Sequence, residues 1–544
     1  MKTNNILIIT AVSLTLSLMF QSCSNSFLDT KSKTEVTTQN YYRTTGDAYR
    51  ALVACYDGWQ GTSSNGTYSF YYLSELMSDD CFGGTGNSDS RESQMIDKFD
   101  LSESPSTGNV LNDTWNAYYA GIYRCNTLIQ KESQINWSND PSLRPLYMGQ
   151  CHAIRAILYF DLVRLFGNIP LVTEPTNENL PQADPADVYG LIMSDLKFAI
   201  DSIPSNAYPV AENATNLGHV NKYAAEALLA RAYLFYKGYY GTDPEGVTAS
   251  EVLSGLEDVI THGGYSLEPD FSNLWPASSA VPNASDNTLD LSKYDNASPE
   301  IVLALNFNNS SDWVGNNDGN RWLVMMGLRN TDSSPYGHGW GGCTVNPATF
   351  ALYSNDDKRK MASIIDISGE KIDFKNIADQ REYTGYCVKK YTPLCFPDGT
   401  SASKEDGSGN MQISQSEDYI IIRYADVLLM AAELGSNNAQ KYFNEVRKRA
   451  YGDAYTEILL TPESLRNERH LEFAFESIRY WDLLRQGLST AAEKLAISTN
   501  VLDGNVQTAY SVKAANVTKT KGLMPIPSTQ VTLANGQLTQ NAGW

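Results

Sequence analysis

The chain has 544 residues, and its 41 Lys and Arg face 62 Asp and Glu, for a formal net charge of −21. Such an acidic surface repels phosphate backbones and anionic headgroups, which excludes nucleic acid and anionic lipid as charge-driven partners. Hydrophobic residues make up 42% of the chain, enough for a packed core.

The first thirty residues set the compartment. Lys2 gives a positive start, and residues 6–20 are mostly apolar, broken only by Thr10, Ser13, Thr15 and Ser17. That run is shorter than the roughly 20 apolar residues a spanning helix needs, and it reads as the apolar region of a secretory signal peptide. Phe20-Gln21-Ser22-Cys23 follows. A small residue before a cysteine at this place resembles a bacterial lipobox, in which cleavage leaves a lipidated cysteine at the new N-terminus. Residues 1–22 are therefore expected to be removed and Cys23 to carry the lipid. Multiple acyl chains on one cysteine would satisfy the two-signal requirement for stable anchoring. No later stretch of the sequence is long and apolar enough to span a bilayer.

Residues 23–263 read as helical. Helices are expected near 47–58 and 111–132. Leu143, Tyr147, Cys151, Ile154, Leu158, Leu162 and Leu165 recur at steps of four and three, one apolar helix stripe. Gly167 stops it. Asp184 can cap the next helix, with Pro185 at its first position. It runs through Val188, Leu191, Ile192 and Leu196 before Pro204. Val220, Tyr223, Ala227, Ala230 and Leu234 form a third stripe, and 250–261 a further helix before Gly263-Gly264. From 264 to 418 the helical period disappears and Gly, Asn, Ser and Asp dominate. Short strands are expected near 301–307 and 386–391. Loops this long in a compact chain are usually functional. In 419–544 helices return at 420–434, 438–450 and 464–485. Pairing of helices of this length resembles tetratricopeptide units, which bury a shared core by stacking. The fold class is thus mainly α: a tetratricopeptide-like helix-pair scaffold with a loop-rich insertion carrying a few short strands.

Little of the chemistry looks catalytic. Eight cysteines are present, and seven remain if Cys23 is lipidated, so at least one is unpaired. Cys55, Cys125 and Cys151 fall on helical patterns as small core residues; a Cys387–Cys395 bridge is open, but no disulfide framework emerges. The five histidines, His152, His219, His262, His338 and His470, show no zinc spacing. Asn316 and Asp318 could offer oxygens to calcium, yet the EF-hand spacing is missing. No metal and no cofactor is assigned. A glycoside hydrolase would need two carboxylates roughly 5–9.5 Å apart. Asp79-Asp80 and Asp356-Asp357 could be nominated, but adjacent side chains on a loop diverge. No G-x-S-x-G elbow, P-loop or dinucleotide fingerprint is present. No catalytic residue is assigned, and the chain is read as a non-enzyme.

Six blocks, in order, carry a family resemblance. They are Ser22-Cys23-Ser24-Asn25-Ser26-Phe27-Leu28-Asp29, Phe166-Gly167-Asn168-Ile169-Pro170-Leu171-Val172, residues 218–231 (GHVNKYAAEALLAR), 422–433 (IRYADVLLMAAE), the charged run at 466–485, and Met524-Pro525-Ile526-Pro527 with 537–543 (QLTQNAG). Together they resemble the SusD/RagB family of surface nutrient-binding lipoproteins. The resemblance implies a helix-pair scaffold with a loop-rich part packed on it and placement at the outer membrane. It further implies a SusC-like TonB-dependent transporter as partner, an oligosaccharide or other small nutrient as ligand, and no catalysis. A peptide ligand is the alternative within the family. The alternating charges Glu468, Arg469, Glu472, Glu476, Arg479 and Arg485 are expected to pair along a helix face, as are Arg423 and Asp426.

A sugar offers an apolar ring face and a rim of hydroxyls. Loop aromatics can stack on the face while Asp, Asn and Arg answer the rim. Trp275, Trp313, Trp322 and Trp340 all fall in the irregular middle. The best candidate is 312–322, with Trp313, Asn316, Arg321 and Trp322. The second is 79–84, with Asp80 and Phe82. Each Trp could equally plug the seam between loops and scaffold, and Trp340, in Gly339-Trp340-Gly341-Gly342, suits either role. Trp59, Trp115 and Trp481 lie on helices and are expected in the core.

Overall fold

A computed structural model describes residues 41–63, 68–316 and 318–544. The expected signal peptide and Cys23 lie outside the described residues.

Four helix pairs stack in sequence order. They are α1 (Thr45–Gln60) with α2 (Asn112–Lys131), α3 (Leu143–Phe166) with α4 (Pro185–Ser202), α5 (Lys222–Tyr240) with α6 (Ala249–His262), and α7 (Tyr424–Glu433) with α8 (Ala439–Tyr451). Each pair packs on the next, α2 on α3, α4 on α5 and α6 on α7, so the scaffold continues across the 264–418 insertion. Local chemistry sets the helix starts. Thr44 caps α1 in a reciprocal box with Asp47, and the Asp184 carboxylate accepts from the Ala186 amide, with Pro185 at the first position of α4. Small residues let the helices close up: a Cβ on Gly58 of α1 would press against the Gly121 backbone of α2. At that crossing Cys55, Cys125 and Cys151 are buried as free thiols, with Cys55 and Cys151 Sγ atoms 3.9 Å apart. Cys387 and Cys395 are also free, so no bridge joins them. Trp59, Trp115 and Trp481 are in the core.

Two expected helices differ. Residues 420–434 open as a strand, Tyr419–Arg423, paired antiparallel with Ile301–Leu305. The three successive isoleucines 420–422 favour a pleated, buried surface over a helix start, and α7 begins only at Tyr424. The run 464–485 is two helices, α9 (Pro462–Phe473) and α10 (Arg479–Leu484). Phe475 and Ser477 between them have positive φ. The Tyr71 hydroxyl donates to the Phe475 carbonyl at 2.8 Å, and the Ser477 amide donates to Glu75 Oε1. The helix Phe70–Leu76 thus holds the break open.

The charges of this run do not lie on a solvated face. Arg423 reaches Glu300, Glu472 and Glu476; Arg449 reaches Glu300 and Glu472; Arg359 reaches Asp357, Glu468 and Glu472. Lys390 meets Glu476, and Arg447 meets Glu468. Almost all of these groups are buried. Five cations balance five carboxylates, which is what makes the burial tolerable. Alongside, Asp426 takes Arg231 and Arg469, and Asp482 takes Arg469 and Arg485. The lattice locks α7, α8, α9 and α10 to the 264–418 insertion.

The C-terminal block closes the other end. The Met524 amide donates to Leu165 O at 2.7 Å, and Asn541 Nδ2 donates to Phe166 O and Met524 O. The segment around Met524 therefore satisfies carbonyls at the end of α3.

Candidate functional site

The strand Cys81–Gly84 pairs antiparallel with Gly342–Val345, Cys81 opposite Val345 and Gly84 opposite Gly342. This pairing joins segments some 260 residues apart and builds the site. It lays the loop after Gly84 beside Trp340, and the Thr85 amide donates to Gly341 O at 2.8 Å. Trp340 is held by its backbone, its amide donating to Val324 O at 2.7 Å. The glycines that follow have a steric reason. A Cβ on Gly341 would run into the Gln380 side chain, and one on Gly342 into the Tyr72 hydroxyl. Only glycine lets the turn pass so close to its neighbours.

The result is a groove of about 370 Å³, within the size range of small-ligand sites. Trp340, 39% exposed, stands on one side. Tyr68, Tyr72, Thr85, Asp89, Ser90, Glu92, Ser93, Met325 and Arg329 complete the lining. The Tyr68 hydroxyl donates to Glu92 Oε2 at 2.7 Å. Burial, and then the Glu92 charge, push the Tyr68 phenol well above its ordinary range, so it stays a donor. Arg329 Nε donates to Asp379 Oδ2 at 3.0 Å, and its Nη1 to Asp89 Oδ2 and to the Trp340 carbonyl, both at 3.4 Å. One ring face, hydroxyls and carboxylate acceptors thus surround one open space.

The other sequence candidates divide sharply. Trp322 is 1% exposed and stacks on Tyr71, centroids 4.1 Å apart, inside a cluster with Tyr391 and Tyr419. Trp275 is 1% exposed, against Phe271 and beside the Lys390 ammonium. Neither offers a face to a ligand; both plug the seam between insertion and scaffold, because a large indole gains most there by full burial. Asp80 is also buried, its Oδ1 accepting from Thr349 Oγ1 at 2.9 Å and lying 2.7 Å from His470 Nε2. Phe82 is buried against Tyr510. Residues 79–84 are therefore the wall behind the groove and not its surface.

Trp313 is different, 62% exposed at a loop tip. Asp312 Oδ1 accepts the amides of Val314, Gly315 and Asn316, which sets the turn. These bonds hold the Asp312 carboxyl below the usual carboxylate range. Asn316 is spent within the loop, its Nδ2 donating to Ser310 Oγ. Arg321 is buried and backs the indole, its guanidinium 5.4 Å from the Trp313 ring centroid. So 312–322 presents one exposed ring, and its Asn316 and Arg321 support the turn.

Two other spaces are weaker candidates. An interior seam among Trp59, Tyr71, Arg164 and Trp481 encloses about 60 Å³, water-sized and too small for a sugar. A wide surface groove at Trp137, Arg144 and Phe198 has its indole packed on Tyr147. Among the described residues, no helix is long and apolar enough to cross a membrane.

Sequence reading missed Tyr68, Asp89, Ser90, Glu92 and Arg329. They are ordinary polar residues in three separate segments, brought to Trp340 by the pairing of 81–84 with 342–345 and of 328–329 with 338–339.

Two family models match the chain: "SusD family" over residues 371–544 and "Starch-binding associating with outer membrane" over 25–234. A SusD-like protein P2 of Formosa agariphila is 26% identical over 479 residues, covering 82% of this chain and 85% of the relative. A SusD-like protein of Bacteroides ovatus is 23% identical over 489 residues, with 86% and 81% covered. Among solved structures, a laminarin-binding SusD-like protein superposes with a TM-score of 0.69 at 26% identity, covering 92% of this chain and 100% of that one. Surface glycan-binding protein A from Bacteroides thetaiotaomicron, in complex with laminarihexaose, superposes at 0.71 with 23% identity, covering 92% and 99%.

Proposed function

The chain belongs to the SusD/RagB family, and we propose that it captures glycan at the bacterial cell surface in the Trp340 groove. It then passes the oligosaccharide to a SusC-like TonB-dependent transporter, breaks no bond itself, and is held to the outer membrane by lipid on Cys23. The observation that carries this reading is the half-exposed Trp340 facing a groove rimmed by hydroxyls and carboxylates. An indole covers the apolar face of a pyranose, and Tyr68, Ser90, Asp89 and Glu92 exchange hydrogen bonds with its hydroxyls. The names of relatives add support, since a neighbour at 26% identity is described as laminarin-binding. Trp313, exposed on a separate braced loop, is a second contact for a longer chain.

The acidic rim also offers a poor hydrolase. Asp89 is tied to Arg329 and Glu92 accepts from Tyr68, so each carboxylate holds a fixed partner. Intrinsic tryptophan fluorescence tests the proposal. Oligosaccharides should quench it without turnover, and Trp340→Ala should remove most of the response. Release of reducing ends, or an undiminished response in the variant, would refute it.

A further inference from the structure

The charge of the groove bears on which glycans it takes. We propose that it selects uncharged glycans and rejects those bearing uronate or sulfate; this rests on the reading of the Trp340 groove as the glycan site.

Among the described residues Arg329 is the one cation in the lining, and it is already committed. Its Nε and Nη2 face Asp379, the latter at 2.9 Å, and its Nη1 serves Asp89 and the Trp340 carbonyl. A carboxylate or sulfate is bound best by an unoccupied guanidinium fork. Here the ligand would have to break two ion pairs to obtain one. Meanwhile each carboxylate keeps one oxygen turned to no protein donor among the described residues: Asp89 Oδ2 takes the Gly86 amide at 2.7 Å, and Glu92 Oε2 takes Tyr68. The remaining oxygens, Oδ1 and Oε1, are acceptors for ligand O–H groups and strong ones, because they are charged. The same oxygens repel a ligand anion, and the net charge of −21 repels it during approach. Hydroxyl donors therefore fit this rim and anions do not.

The test is isothermal titration of the protein with two glycan panels at low and high salt. The neutral panel is laminarin, starch, xylan and galactomannan; the anionic panel is polygalacturonate, alginate and carrageenan. At least one neutral glycan should bind, with an affinity insensitive to salt, about tenfold or more above any anionic one. Trp340→Ala should abolish that binding. Preferred binding of an anionic glycan that Trp340→Ala abolishes would overturn the charge selection and leave the groove standing as the site. Binding of either class that survives Trp340→Ala would overturn the groove reading and the selection with it. Failure of every glycan in both panels to bind would overturn both.

Discussion

Buried carboxylates behave in opposite ways in two parts of the molecule. In the lattice between the C-terminal helices and the insertion, burial raises the acids, but arginines override it. Glu472, among Arg449, Arg423, Arg359 and Lys390, sits far below the usual range, as does Asp482 between Arg469 and Arg485. Glu75, Glu417 and Asp418, by contrast, form no ion pair among the described residues. Burial, with Asp80 nearby, pushes Glu75 well up; burial and the neighbouring Asp418 do the same to Glu417; burial lifts Asp418 to about 7. The lattice acids are therefore held low by their cations, whereas burial holds Glu75, Glu417 and Asp418 above the usual carboxylate range. Charge density in the sequence marks a structural clamp here, and the groove is built from sparser, less conspicuous residues.

The largest effect should come from opening the lattice. Arg423→Ala leaves Glu300, Glu472 and Glu476 short of a buried cation and should cost about 3–5 kcal/mol, read by urea unfolding. A loss below about 1 kcal/mol would mean that neighbouring arginines compensate. Trp322→Ala removes a buried ring and should cost about 3–5 kcal/mol, while the fraction that remains folded keeps its glycan affinity. Trp340→Ala should do the reverse: glycan binding falls below detection, with a melting temperature near that of the parent. Equal behaviour of the two tryptophan variants would erase the distinction between seam and groove.

The smallest effect concerns pH. The folded pKa values of Glu472, Asp482 and Asp426 are depressed. Their stabilisation is therefore present above their unfolded values, near 4, and is lost as pH falls through the lower folded values. Asp418 has the opposite sign. Its contribution is present below its unfolded value and is lost as pH rises through about 7. Asp418→Asn, which can still accept from the Phe307 amide as Asp418 does at 2.8 Å, should raise the melting temperature at pH 8 and change it little at pH 4. No gain at pH 8 would show the group to be ionised without penalty.

Much of the scaffold was legible in the sequence, because apolar stripes and caps such as Asp184-Pro185 are local signals. The errors came where tertiary partners decide. Residues 420–423 became a strand because 301–305 needed a buried neighbour, and the 474–478 break depends on Tyr71 and Glu75, about 400 residues away. The site was half legible. Loop tryptophans were the candidates the sequence offered; exposure separates Trp313 and Trp340 from Trp275 and Trp322, and no spacing encodes it. Phe82 lies on the strand behind the groove and Asp80 just before it, both with buried side chains.

A crystal structure of the protein with a bound neutral oligosaccharide tests the central claim most directly. The predicted result is a sugar ring against the Trp340 indole at about 4 Å, with hydroxyls on Asp89 and Glu92. A sugar seated elsewhere, in the Trp137 groove or on Trp313 alone with the Trp340 groove empty, would contradict it.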